Sequence, residues 1–300
     1  MLLVRNIRLP LTCPDPDAEA AAQALRILHV PARKAAHCGV AKLSVDARHG
    51  KPVLVYTMAI TLKDEGEESA YAGASPCVCF TQPARFSFPV GDTALKSRPV
   101  VVGLGPAGLF AALLLARSGF RPLVLERGPE LDERVKAVEH FEKTGELNLN
   151  ANIQFGEGGA GTFSDGKLTT RVGDPLCAFV TDAFLQHGAP ADIAWRQKPH
   201  VGTDLLRGII RSIRQEIIAL GGEVRFHTAL TGLKIENGAL AGIETTAGDF
   251  ACQQLILAVG HSARDTFAML HSLGLPLECK PFSVGFRAEH LQTEIDKSLY

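Results

Sequence analysis

Residues 98–128, RPVVVGLGPAGLFAALLLARSGFRPLVLERG, constrain the fold more than any other part of the chain. Three valines at 100–102 read as a short strand. Gly103, Gly105 and Gly108 then follow in the spacing G-x-G-x-x-G, an Ala/Leu-rich helix begins, Gly119 closes it, and residues 123–125 form a second apolar strand ending at Glu126. In such a βαβ unit the first glycine permits the tight turn out of the strand. The second lets a pyrophosphate approach the backbone, and the third lets helix and strand pack closely. The helix start offers unpaired N–H groups and a positive dipole end to an anion. Glu126 lies 18 residues after Gly108, where a carboxylate accepts from a ribose 2′-OH and disfavours a 2′-phosphate. A bare glycine motif is compatible with an ordinary turn. Here strand, helix, second strand and acidic end all agree, so the unit reads as a dinucleotide site.

The rest of the composition narrows the class. The 300 residues carry a net charge of −1, with 46% hydrophobic and 21% charged residues. That supports a packed core and gives no general signal for nucleic acid or a membrane surface. Residues 100–116 are apolar, but they hold Gly103, Gly105, Pro106 and Gly108 and fall short of a membrane span. The start, MLLVRNIRLPL, is broken by Arg5 and Arg8 and does not read as a secretory leader. Seven cysteines at scattered spacing suit a reducing cytoplasm. Cys77-Val78-Cys79 is a lone C-x-C without a second pair, and no metal site is expected.

Three regions are expected. Residues 1–62 read as a small α+β unit: a strand at 2–11, a helix at 18–28 behind Asp15 and Asp17, and strands at 41–46 and 52–62 around a turn at 47–51. Arg33, Lys34, Lys42, Arg48 and Lys51 make it basic. That charge suits an RNA or acidic partner, but without interleaved aromatics it reads more simply as a solvated sheet face. Residues 63–97, with KDEGEES and several Pro and Gly, read as a connecting arm. Residues 98–300 form the nucleotide domain and the start of a substrate region. Within it, residues 131–144 and 203–220 read as helices, and residues 223–227, 232–236, 239–245 and 255–259 as strands. Asn237-Gly238 marks a hairpin turn. The apolar strand at 255–259 is expected beside the first Rossmann strand, buried on both faces. The loop at 152–170, NIQFGEGGAGTFSDGKLTT, has so many glycines that a close ligand approach is favoured over a mobile surface loop.

These pieces, in this order, resemble the flavoproteins with a glutathione-reductase-type FAD domain. The carriers are VVVGLGPAG followed by Ala112, Leu115, Gly119 and LVLERG, and a meander over 223–255 that ends in LILAVG, with Val259 where that family usually has Thr. More narrowly, NIQFGEGGAGTFSDGKL, KPHVGTD, AVGHSARDT and KPFSVGFRAEH resemble the bacterial uncharacterised FAD-dependent dehydrogenases, also called NAD(FAD)-utilizing dehydrogenases. The resemblance covers essentially the whole chain. It implies an α/β fold: a Rossmann-like FAD-binding domain with an inserted β-meander, preceded by the small α+β domain. It also implies truncation, because the late Gly-Asp segment that approaches the ribitol has no counterpart after Gly260.

By the same resemblance Gly103, Gly105, Pro106, Ala107 and Gly108 would line the pyrophosphate. Glu126 would take the ribose with Arg127 beside it, and the backbone at Leu230 would meet the adenine. Residues 158–162, including Gly159, Gly161 and Thr162, would lie with Lys167 toward the flavin, and Ala258 and Gly260 would pass close to the FAD. The implied activity is hydride transfer between bound FAD and an organic substrate or a transient NAD(P)H. NAD as the main ligand uses the same βαβ unit and stays open. So do a flavin-dependent RNA-modifying protein and a non-enzymatic FAD- or ADP-binding interaction protein. No catalytic acid or base stands out. His261, just past the returning strand, serves catalysis or structure equally well. Asp165, Lys167, Arg264 and Asp265 are weaker candidates, His200 reads as shaping a turn, and Trp195 as packing.

Overall fold

Strand β1 (Leu2–Pro10) buries Leu2, Val4, Ile7 and Leu9. The spacing between Val4 and Ile7 breaks period 2, and the strand resolves this with a bulge at that point, where Asn6 takes a φ of 62°. The extra residue keeps all four apolar side chains on one face. Helix α1 (Pro16–Leu28) starts behind Asp15, whose carboxylate accepts from the Ala18 N–H at 3.1 Å, and presents Ala20, Ala24 and Leu28 to the core. Strands β2 (Ala35–Asp46) and β3 (Val53–Leu62) form an antiparallel hairpin. Tyr56, Met58, Ile60 and Leu62 of β3 alternate into the core that holds Ala20, Ala24 and Leu28. The computed structural model describes residues 1–48, 50–73, 75–82, 88–164, 166–168, 170, 172, 174–286 and 288–299. Asp165 therefore lies outside the described residues.

The stretch expected to be a connecting arm from residue 63 is ordered into this sheet. Residues Glu65–Tyr71 make 3-10 turns, and β4 (Val78–Phe80) pairs with β1, giving the order β2-β3-β1-β4. The reason is one buried acid. Glu68, 3% exposed, accepts from the Leu62 N–H at 2.9 Å and pairs with the amino terminus at 2.7 Å. The local composition of KDEGEES gives no sign of this, because the partners are distant in sequence or belong to the backbone.

The second sheet is parallel. Strand β5 (Val100–Val102) leads through the glycine turn into α2 (Pro106–Arg117), and β6 (Leu123–Leu125) returns beside it. Helices α3 (Leu131–Thr144), α4 (Leu176–Gln186) and α5 (Thr203–Ala219) follow, then β7 (Glu223–Arg225) at the far side of β6. A separate antiparallel sheet of β8 (Leu230–Glu236), β9 (Ala239–Thr245) and β10 (Gly248–Ala251) is inserted before β11 (Leu255–Leu257), which pairs with β5. The parallel order is β11-β5-β6-β7, a Rossmann-like arrangement. Asn237 and Gly238 take φ values of 51° and 77°, as a two-residue primed turn requires. The core joins Val101, Leu104, Leu109, Leu113 and Val124 to Phe184 and to Leu206, Ile210, Ile213 and Ile217 of α5.

One burial expectation is overturned. Ile256 and Leu257 of β11 are 38% and 39% exposed. An apolar run allows burial, but position decides it, and β11 is an edge strand. The division of the chain also differs from the expected one. One unit spans Met1–Ala263 and a second spans Arg264–Tyr300. Within the first, β2 reaches across to residues 195–197: Leu43 N–H donates to the Trp195 carbonyl at 2.9 Å, and Gln197 N–H donates to the Leu43 carbonyl at 2.8 Å. The second unit holds α6 (Arg264–Ser272) and α7 (Gln292–Leu299). Among the described residues no helix is long and apolar enough to cross a membrane.

Candidate functional site

The glycine turn separates two kinds of glycine. Gly103 has a φ of 97°, and a Cβ there would stand 2.5 Å from the Ala258 carbonyl oxygen. A Cβ on Gly108 would overlap the Gly103 carbonyl oxygen. Both are demanded by the protein's own packing. Gly105 is not: its φ is −67°, ordinary for any residue, and nothing lies within 4 Å of its Cβ position. It is the N-cap of α2 and has no side chain to cap the helix. Pro106 and Ala107 follow, exposed, at the first turn. Pro106 carries no N–H, so the early N–H groups on offer belong to Ala107 and Gly108.

Glu126 closes the second side. It is 4% exposed, and its two oxygens accept from the Leu104 and Gly128 N–H groups, each at 2.8 Å. The carboxylate thus braces the glycine turn against the end of β6. Arg127 beside it is half-buried. The loop from β7 to Leu230 runs alongside, with Thr228 N–H donating to the Glu126 carbonyl at 2.9 Å and His227 N–H to the Gly128 carbonyl at 3.0 Å. Leu230 itself is 7% exposed and opens β8.

The glycine-rich loop forms the third side. Gly158 N–H donates to the Leu104 carbonyl at 2.9 Å, and a Cβ on Gly159, whose φ is 69°, would stand 2.6 Å from Pro106 Cδ. Thr162 is fully buried, with its hydroxyl donating to the Gly159 carbonyl at 2.8 Å, while Gly161 lies against Leu206. Gly103, Gly105, Pro106, Ala107, Gly108, Glu126, Gly159, Thr162 and Ala258 are therefore brought to one locus. Lys167 is exposed and bridges in antiparallel fashion to His200, so the backbone around both shapes a short strap: Leu168 N–H donates to Pro199 and Val201 N–H to Gly166, both at 2.9 Å. Gly260 is exposed with a φ of 71°. His261 is exposed, with Nε2 3.3 Å from Ser262 Oγ. Arg264 and Asp265 belong to the second unit. Trp195 contributes its carbonyl to β2 as well as any packing.

Sequence reasoning passed over the residue that organises the loop. Arg134 of α3 is 0% exposed. Its guanidinium donates to the carbonyls of Asn152 (3.0 Å), Ile153 (3.1 Å), Glu157 (2.6 Å) and Gly159 (3.1 Å from each Nη), and to Thr162 Oγ1 (3.0 Å). Burial pushes its pKa down to about 10, against the pull of Glu126 and Glu157. Glu157, equally buried, accepts from the Leu131 N–H at 2.7 Å and pairs with Arg214 at 2.9 Å. Burial pushes its carboxyl above the ordinary value, with Arg214 opposing. Arg207 donates to the Thr162 carbonyl at 3.0 Å, and the Arg134 and Arg207 guanidinium carbons lie 4.8 and 5.0 Å from the Phe163 ring centre. One signal was available: Arg134 shares the buried face of α3 with Leu131 and Val138, at i−3 and i+4.

Among the described residues no cluster of three or more His, Cys, Asp or Glu is placed to hold a metal. Cys77 and Cys79 are free, Cys77 Sγ lying 3.0 Å from Ser75 Oγ.

No family model matches the chain. An uncharacterized protein of Clostridium beijerinckii is 51% identical over 210 residues, which is 70% of this chain and 39% of that protein. A digeranylgeranylglycerophospholipid reductase of Methanocella arvoryzae is 30% identical over 146 residues, 48% of this chain and 33% of the reductase. A similar reductase of Methanococcoides burtonii is 28% identical over 151 residues, again 48% of this chain and 32% of the enzyme. The chain thus spans about two-fifths of the first relative and a third of the reductases. Among solved structures, THI4 of Thermovibrio ammonificans aligns over 59% of this chain and 62% of its own, at 16% identity and a TM-score of 0.39. The L-amino acid deaminase of Proteus myxofaciens with anthranilate aligns over 66% and 51%, at 15% identity and a TM-score of 0.34.

Proposed function

We propose that the first unit is the FAD-binding part of a flavin-dependent oxidoreductase. One observation carries the reading: the start of α2 is an uncapped helix N-terminus whose N-cap, Gly105, faces open space while every other wall is braced. Gly103 and Gly108 lock the turn, Glu126 holds it from β6, and the loop at residues 156–163 closes on Pro106. Such a terminus favours a diphosphate.

Each residue then has one task. Ala107 and Gly108 N–H groups bind phosphate oxygens. The lone pairs that remain on Glu126 are acceptors for ribose hydroxyls. The backbone leading to Leu230 meets the adenine, and Ala258 and Gly260 flank the far end of the ligand. FAD, when bound, supplies the two-electron chemistry, while the chain orients it and shields it from water. The reductase relatives in sequence support a reduction, with hydride passing between the flavin and an organic substrate or NAD(P)H.

The test is the absorbance spectrum of the purified chain, identification of whatever cofactor it releases, and titration of the stripped chain with FAD, ADP and NAD. Bound or tightly rebinding FAD supports the reading. Preference for NAD over FAD moves the site to a nicotinamide enzyme, and failure to bind FAD or ADP overturns it.

A further inference from the structure

We propose that the hairpin end of the N-terminal sheet is a site for a phosphate monoester, with Asp46 setting the Arg8 and Arg48 guanidiniums that bind it. The site is separate from the glycine turn and does not rest on the dinucleotide reading. Strands β2, β3 and β1 bring Ser44, Val55 and Arg8 into one row, Val55 pairing with both neighbours. Leu54 and Tyr56, on either side of Val55, pack into the core with α1, so Val55 belongs to the face that α1 leaves open. A cavity of about 250 Å³ has Asn6, Arg8, Ser44, Asp46, Arg48 and Val55 in its wall. The bulge that keeps the apolar side chains of β1 together also gives this cavity Asn6. Several waters fit such a volume, and so does a phosphate group with the first atoms of its carrier.

One carboxylate organises the charge. Asp46 Oδ1 accepts from Arg48 Nε at 2.9 Å and from the Arg48 N–H at 3.2 Å, and Oδ2 accepts from Arg8 Nη2 at 2.9 Å and Arg48 Nη2 at 3.1 Å. The Asp46 side chain is 7% exposed, against 54% for Arg8 and 78% for Arg48. A solute therefore meets guanidinium first, with the acid behind it. Neither side chain makes another hydrogen bond among the described residues, so most N–H groups of both forks remain on offer. Among the described residues Asp46 is the only acid in the wall. Asp15, Asp17 and Glu19 are spent at α1, on the Ala18 N–H, the Tyr56 hydroxyl and Arg26. Two arginines against one aspartate leave the cavity positive, and Ser44 and Asn6 add neutral donors. Two planar forks with two neutral donors suit the several oxygens and near-double charge of a phosphate monoester better than the two oxygens of a carboxylate. No aromatic side chain stands among the described residues of the wall, so a base has nothing to stack on, which favours the small monoester over a nucleic-acid strand.

The test titrates inorganic phosphate, ribose 5-phosphate, acetate and a short oligouridylate into the whole 300-residue chain by calorimetry, with amide exchange followed over residues 44–48. Saturable binding of phosphate and ribose 5-phosphate, with slower exchange at those residues, is the expected result. Arg48→Gln should weaken both by about tenfold or more, as the loss of a charge-assisted contact predicts. Arg48→Lys keeps the charge but not the fork and should weaken both as well. Asp46→Asn separates a built site from a merely positive surface. A positive surface gains charge and binds phosphate more tightly, whereas the arginine pair loses its anchor and binds more weakly. Tighter phosphate binding by Asp46→Asn, unchanged binding by Arg48→Lys, acetate held as tightly as phosphate, or binding of the oligouridylate alone overturns the proposal. Phosphate binding that survives Arg48→Gln and is lost in Gly105→Ser belongs to the glycine turn and overturns it too. No saturable phosphate binding at all also overturns it, while FAD binding by the same chain leaves the FAD reading in place.

Discussion

Gly105→Ser separates the needs of the fold from the needs of a ligand. At this position an added Cβ meets no atom beyond its chain neighbours within 4 Å, and the backbone, at φ −67° and ψ −177°, accepts any L-residue. Serine is a better N-cap than glycine by a few tenths of a kcal/mol. It also removes glycine's freedom from the unfolded chain, worth about 0.4–1 kcal/mol. The apo protein should therefore melt at the same temperature or slightly higher. The ligand sees the reverse. The serine hydroxyl accepts the first-turn N–H groups that a diphosphate would use, and the side chain fills the approach. Losing two charge-assisted hydrogen bonds at about 1.5–3 kcal/mol each gives about 3–6 kcal/mol, or about a hundred- to ten-thousand-fold in affinity. Thermal melting of the stripped chain, with calorimetric titration of ADP and FAD, reads both effects. Gly108→Ala is the control, because its methyl collides with the Gly103 carbonyl and should destabilise the apo protein by about 1–3 kcal/mol. If Gly105→Ser melts several degrees lower, or binds FAD as tightly as the wild type, the assignment of this glycine to the ligand is wrong.

Glu126→Gln sets an amide NH₂ against one of two buried N–H donors, so it should cost about 1–3 kcal/mol by denaturant unfolding even without ligand; a loss under about 0.5 kcal/mol would mean that the carboxylate is not the brace. Glu216 has its pKa lowered from 4.5, first by the hydrogen bond from Arg117 and then by that from His187, against burial. Its folded pKa lies below its unfolded one, so its stabilisation is present above about pH 4.5 and is lost as pH falls through the folded value. Glu216→Gln should flatten the acid limb of stability over that window in denaturant unfolding followed against pH, and an acid limb as steep as the wild type's would refute the assignment. Leu43→Pro removes the N–H given to Trp195 and should accelerate exchange of the Gln197 amide with β1–β3 still protected; unchanged exchange at Gln197 would show that the bridge contributes nothing.

What could be read in advance was local. The turn, α2 and β6 are contiguous, so each glycine and the acidic end announce themselves within about thirty residues. Three things were hidden. Strand β4 is three residues long, lies in a Pro- and Gly-rich stretch, and pairs with a strand more than seventy residues away. Ile256 and Leu257 are as apolar as a buried strand requires, but which face a neighbour covers is not a property of the strand itself. Arg134 is hidden by the habit of reading arginine as surface. Its alignment with Leu131 and Val138 shows that it points inward, but nothing local shows that its acceptors are carbonyls about twenty residues on.

The bridge from β2 to residues 195–197 has a consequence for how the first unit comes apart. Residue 43 holds 195 and 197, residues 199 and 201 hold 168 and 166, and those continue from the glycine loop. The N-terminal sheet is thus the far anchor of a chain of backbone bonds that ends beside the start of α2. Such serial attachment makes melting contagious: release of the first sheet frees an edge, then the strap, then the loop. Met1–Ala263 should accordingly lose its structure in one transition, with ligand bound at the glycine turn protecting amides as distant as those of β2.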